Sequence, residues 1–140
     1  MATTTASIAL SSDITDTTLN VTNESTLYTA GTTTGLDAMT SVTKVLEATS
    51  HVDLITTGSV STTHAYVYIN NPDTDSTRYF HVHIGAAVTD GTYDDGTLPT
   101  EEIGTLYGGD WMWFPWDVDD DITVKPSDAN KMTVEYQVFS

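Results

Sequence analysis

Apolar and polar side chains alternate along most of this chain in short runs, each bounded by Gly, Asn, Asp, Pro or Ser. Period-two alternation of this kind predicts strands with one buried face. Ile8 and Leu10, Leu19 and Val21, and then Leu27 mark short strands joined by tight turns, and residues 29–35 read as an uncharged loop. Leu36 to Thr49 is ambiguous: Leu36, Met39, Val42, Val45 and Leu46 come close to helical spacing, but the Thr and Val content favours a strand. A further strand spans His51 to Thr57.

The clearest local signal is an expected hairpin. His64 to Asn70 sets Ala65, Val67 and Ile69 against His64, Tyr66 and Tyr68, and Tyr79 to Ile84 sets Phe80, Val82 and Ile84 against Tyr79, His81 and His83. A turn at Asn71-Pro72-Asp73-Thr74-Asp75 would place Val67 opposite Phe80 and Ala65 opposite Val82. Residues 85–100 read as a long acidic connection. Asp117 to Asp121 form an acidic turn, Ile122 and Val124 a strand, residues 126–130 a turn, and Met132 to Phe139 a last strand with Met132, Val134, Tyr136 and Val138 on one face.

Between these runs lies Ile103 to Asp117, which holds all three tryptophans, Trp111, Trp113 and Trp116, with Tyr107, Met112 and Phe114. Alternation puts Trp111 and Trp113 on one face and Met112 and Phe114 on the other, so both faces are apolar. Pro115 is expected to limit the sheet ladder. Such a strand is either enclosed in the core, or turns one face to the core and the other to a partner or a sugar. Trp, Tyr and Met are enriched at the centres of protein contacts. The candidate interface residues are Tyr107, Trp111, Trp113, Phe114 and Trp116, joined by Tyr66, Tyr68 and Tyr79 from the expected hairpin.

At 140 residues the chain fits one domain. Thr makes up about a fifth of it and strong helix formers are scarce. The expected fold is all-β: a single antiparallel β-sandwich over residues 7–140, jelly-roll-like or immunoglobulin-like, preceded by a flexible arm at 1–6. Twenty acidic against four basic residues give a formal charge of −16, which repels phosphate backbones and anionic membranes. Nucleic acid and membrane are therefore not expected partners. There is no cysteine, which removes disulfides, thiolate metal sites and cysteine nucleophiles. The amino terminus lacks the basic start and apolar core of a signal peptide, so the usual export route is not expected.

Two clusters of side chains are candidates for binding an ion. With the hairpin register above, His64 faces His83 and His81 is a diagonal neighbour, a geometry open to a three-histidine metal site. The His81-x-His83 spacing also occurs in cupins, but their later glutamate is replaced by Gly85-Ala86-Ala87-Val88. An aromatic and imidazole face packing on a neighbour is the preferred reading. Asp117, Asp119 and Asp121 could supply oxygens to calcium, although Ile122 stands where an EF-hand needs glycine, and a solvated turn is preferred. No nucleophile elbow, phosphate-cradling loop or His-Glu-x-x-His occurs. No catalytic residue, metal or cofactor is expected.

The run Leu106, Tyr107, Gly109, Asp110, Trp111, Phe114, Pro115 and Trp116 resembles a motif of small virion proteins of marine tailed bacteriophages, including cyanophages. The likeness extends more loosely to the opening MATTTASIALSS and to HAYVYINNPDTDSTRYFHVHIG, about half of the chain. It implies a virion structural part and carries over no catalytic residues. The expectation is a capsid decoration or cement protein, made in the host cytoplasm and bound to the outer capsid shell as a dimer or trimer. Its partner would be the major capsid protein or another virion protein. A neck, tail or baseplate component, or a carbohydrate-binding β-sandwich module, is the alternative.

Overall fold

A computed structural model describes residues 3–12, 19–85 and 101–140, with only the backbone of Glu101. Among the described residues there are ten strands: β1 (Thr4–Ser12), β2 (Leu19–Leu27), β3 (Met39–Leu46), β4 (Val52–Ile55), β5 (Ala65–Asn70), β6 (Tyr79–Ile84), β7 (Glu101–Tyr107), β8 (Trp111–Trp116), β9 (Ile122–Pro126) and β10 (Met132–Phe139). The one helical turn among the described residues is the 3-10 turn Thr57–Ser59. The ambiguous segment from Leu36 is thus a strand, β3. β-branched content outweighed a near-helical spacing.

The chain divides into two compact units, Met1–Ala38 and Met39–Ser140. In the first, β1 and β2 pair along their whole length as a two-stranded antiparallel sheet, Thr4 opposite Leu27 and Ser12 opposite Leu19. The several short strands expected here are two long ones. Thr4, Thr5 and Ala6, expected in a free arm, lie within β1.

The second unit is an antiparallel β-sandwich. One sheet has the order β3-β10-β5-β8 and the other β4-β9-β6-β7. With these eight strands lettered B to I in chain order, the sheets read BIDG and CHEF, which is a jelly roll and not the immunoglobulin arrangement. Alternation sends one face of each strand inward. Ala65, Val67, Ile69, Trp116, Met132, Val134 and Val138 from the first sheet meet Leu54, Phe80, Val82, Leu106, Ile122 and Val124 from the second in one core. Each fully buried Val, Ile or Phe contributes roughly 1.5–3 kcal/mol by leaving water. The sandwich therefore occupies 39–140, and the expectation of one sandwich over 7–140 shifts to that boundary.

The expected hairpin does not exist as a pair. β5 lies between β10 and β8 in one sheet, and β6 lies between β9 and β7 in the other. Residues 71–78 carry the chain across the sandwich. Their course is set by Asn71, fully buried, whose Nδ2 donates to the carbonyls of Leu106 (3.0 Å) and Arg78 (3.3 Å) while its Oδ1 accepts from the Asp73 amide (3.2 Å). Arg78 closes the segment, donating to the Asp73 carboxylate at 2.8 Å and to the Lys131 carbonyl at 2.8 Å. The expected acidic connection falls on 86–100, outside the described residues.

Candidate functional site

β8 is an edge strand, which is why Pro115 does not end it: an edge tolerates a missing N–H on its unpaired side. Its alternation turns Met112, Phe114 and Trp116 inward opposite Ile69, Val67 and Ala65, and leaves Trp111 and Trp113 outside opposite Asn70 and Tyr68. Trp116 is buried and its indole N–H donates to the Asp120 carbonyl at 2.9 Å. Phe114 is half-buried against the core. Both turn toward the core, because their parity on the strand matches that of the inward residues.

The outer face of the β3-β10-β5-β8 sheet carries a connected aromatic patch. The Tyr66 and Trp113 rings lie parallel, 8° apart in plane with centroids at 5.7 Å, and Phe139 meets Trp113 at 5.5 Å. Tyr68 and Trp111 follow at 6.0 Å, and His64 stands edge-on to Tyr66 at 5.1 Å. Trp111 is 51% exposed, and Met39, paired with Phe139 across β3 and β10, is 61% exposed. Asn70 and Glu135 border the patch, joined by a 3.0 Å hydrogen bond. Aromatic rings of this kind supply large apolar contact area with little rotamer entropy to lose. Phe139 and Met39 were missed from sequence; the cross-strand register that brings them to Tyr66 is not visible in either strand alone.

Tyr79 and Tyr107 lie elsewhere. They pair across β6 and β7, rings 5.2 Å apart, on the outer face of the other sheet. The candidate interface set thus divides into an outer aromatic face (half-buried Tyr66, Tyr68 and Trp113 with exposed Trp111), a tyrosine pair on the opposite sheet, and two inward-facing residues, Phe114 and Trp116.

The three-histidine arrangement is corrected in the same way. His64 sits beside Tyr66 on the first sheet, whereas His81 and His83 sit on the second. His51, just before β4, takes the place expected for His64: its Nε2 lies 3.2 Å from Nε2 of His83, with both rings buried. One imidazole must donate and the other accept, so at most one of the two can carry a charge while the bond is kept. Burial, then the neighbouring His83, Lys125 and His81, lowers the pKa of His51 to about 4. Burial also lowers that of His83, against the opposing pull of Glu102. His83 Nδ1 and Thr123 Oγ1, cross-strand neighbours, are buried without a hydrogen-bond partner. His81 instead bonds outward through Nδ1 to Glu102 (2.9 Å) and Thr105 (3.1 Å), and that bond holds the Glu102 carboxyl below its usual pKa. A histidine that stays neutral until strongly acid pH is a weak general base near neutrality.

Among the described residues no three His, Asp or Glu side chains converge as metal ligands. In the acidic turn Asp121 is committed to the Thr57 amide at 2.7 Å, while Asp117 and Asp119 are exposed.

No family model matches the chain, and no curated protein matches it. Among solved structures it is similar to the Yersinia pseudotuberculosis-derived mitogen, with 9% identity and a TM-score of 0.43 over 73% of this chain and 85% of that one.

Proposed function

We propose that this chain is a non-enzymatic virion structural protein, a capsid decoration or cement protein that acts as a homo-oligomer and docks on a shell protein through the outer face of its β3-β10-β5-β8 sheet. The observation that carries the reading is the connected patch of Tyr66, Trp113 and Phe139 with exposed Trp111 and Met39 beside it. A flat apolar sheet face on a chain of charge −16 fits a partner protein and disfavours nucleic acid. The jelly roll is an architecture used by viral capsid domains, and the resemblance of the tryptophan motif to phage virion proteins adds to it. Fold alone does not set function. Cryo-electron microscopy of purified virions tests the reading: density on the outer shell with Trp111 and Trp113 at the contact is expected. Density on the neck or tail would move the docking partner, and absence from the particle would overturn the proposal.

One observation favours a second reading. Parallel half-buried rings such as Tyr66 and Trp113, beside exposed Trp111, also suit stacking on sugar faces, and jelly rolls include lectin domains. Glycan binding lost in Trp113→Ala, with particle binding unaffected, would select it.

A further inference from the structure

The outer face of the β3-β10-β5-β8 sheet is poor in charge on a chain that is rich in it. Along the outward positions of these four strands the only charged side chain is Glu135. It stands opposite Thr43 on β3 and Asn70 on β5, with Trp111 beyond Asn70 on β8. Glu135 is half-buried, and its Oε2 accepts from the Asn70 side chain at 3.0 Å, which leans the carboxylate toward β5 and the Tyr68–Trp111 ring pair. A carboxylate takes more than one donor, and among the described residues Asn70 is the only one offered. None of the chain's four basic residues answers the charge. Lys44 donates to the Asp53 carbonyl, Arg78 pairs with Asp73 and Lys131 with Glu47, while Lys125 belongs to β9 in the other sheet.

The carboxylate and the rings together select the occupant. A purely apolar surface laid on this face would strip water from Glu135 and leave its charge unpaired, which is costly. A cation removes that cost. Arginine suits the site better than lysine, because its planar guanidinium stacks on aromatic faces and forks onto a carboxylate, whereas an ammonium acts as a point charge. We propose that the docking partner is a protein segment that presents an arginine to this face, its guanidinium stacked on the Tyr68–Trp111 pair and hydrogen-bonded to Glu135. This rests on the docking reading above and gives its partner a chemistry. Tyr66, Trp113 and Phe139 then pack on the residues that flank the arginine and keep water from the ion pair. A second copy of this chain does not supply the group: its single arginine, Arg78, is held by Asp73 and the Lys131 carbonyl. The partner is therefore a different protein.

Side-chain NMR of the full chain, titrated with the peptide acetyl-Gly-Arg-Gly-amide, tests this. The peptide is expected to shift Tyr68, Trp111 and Glu135 resonances saturably. Its citrulline version, alike in shape but uncharged, is expected to bind at least about tenfold more weakly, the scale of one hydrogen bond between charged groups. Glu135→Gln is expected to lose a similar factor for the arginine peptide. No saturable shift, or equal binding of the arginine and citrulline peptides, would overturn the inference without relying on any variant. Unchanged binding of the arginine peptide by folded Glu135→Gln would also overturn it. Shifts of the same rings by maltohexaose, with none from the arginine peptide, would overturn it in favour of the sugar reading. Particle binding separates the inference from the reading beneath it. Loss in Trp111→Ala with full binding by Glu135→Gln would overturn the arginine contact and keep the docking face, whereas a parent that does not bind particles would overturn the docking reading itself.

Discussion

Asn71 donates its side-chain amide to the carbonyl of Leu106 at 3.0 Å, and so ties the end of β5 in one sheet to β7 in the other. Its backbone also joins the β7–β8 turn, the amide to the Asp110 carbonyl and the carbonyl to the Gly109 amide. Replacing it with Ala leaves the buried Leu106 carbonyl without this donor, the costly half of losing a hydrogen bond. Asn71→Ala is expected to lower stability by about 2–3 kcal/mol, with Asn71→Asp no better because a carboxylate cannot donate. Urea unfolding should show a lower midpoint at unchanged slope.

Gly108 is fitted to the same junction. A Cβ there would meet the backbone carbonyl oxygens of Asp75 and, at 2.8 Å, Asp73. Backbone cannot rotate away as a side chain can. Gly108→Ala is expected to cost about 1–3 kcal/mol by overpacking, whereas Gly58→Ala, with open space around it, should be near neutral. Thermal melts of the two variants distinguish these outcomes.

The strands of the sandwich were legible, but their partners were not. Ala65, Val67 and Ile69 alternate with tyrosines in the same way whether β6 lies beside β5 or across the core from it. The available signal was the length of residues 71–78, too long for a tight hairpin, and a polar Asn71 at the point where the chain leaves β5. The same error misplaced His64, and His51 could not be found because its link to His83 spans 32 residues. Alternation did place Trp111 and Trp113 on one face, and there the sequence reading and the geometry agree.

That parity makes the three tryptophans separable. Trp116→Ala removes a buried ring and its bond to Asp120, and is expected to cost about 3–5 kcal/mol. Trp111→Ala removes an exposed ring and should change stability little while weakening partner binding by at least tenfold, the scale of a contact hot spot of about 1.4–2 kcal/mol. Calorimetry and a particle-binding assay on both variants read the two effects. Equal loss of stability in both would place Trp111 in the fold.

The imidazole pair makes stability depend on pH in a defined window. In the unfolded chain His51 titrates near 6.5, but in the fold only near 4, because burial and then His83, Lys125 and His81 disfavour its cation. Below 6.5 the unfolded state therefore takes up a proton that the folded state refuses, and stability falls with pH until the folded group also titrates. His83 is shifted in the same direction, with Glu102 partly opposing. The loss from His51 by pH 4 is on the order of 3 kcal/mol, and proton sharing with His83 at 3.2 Å couples the two steps. Carboxylates held low by their bonds, such as Glu102, begin to add their own losses near the unfolded value of 4.5 and continue further into acid. His51→Gln, which keeps a hydrogen-bonding side chain but cannot charge, is expected to flatten the decline between pH 6.5 and 4. Denaturant midpoints measured across that range decide it: a variant as acid-sensitive there as the parent would mean that another group carries the effect.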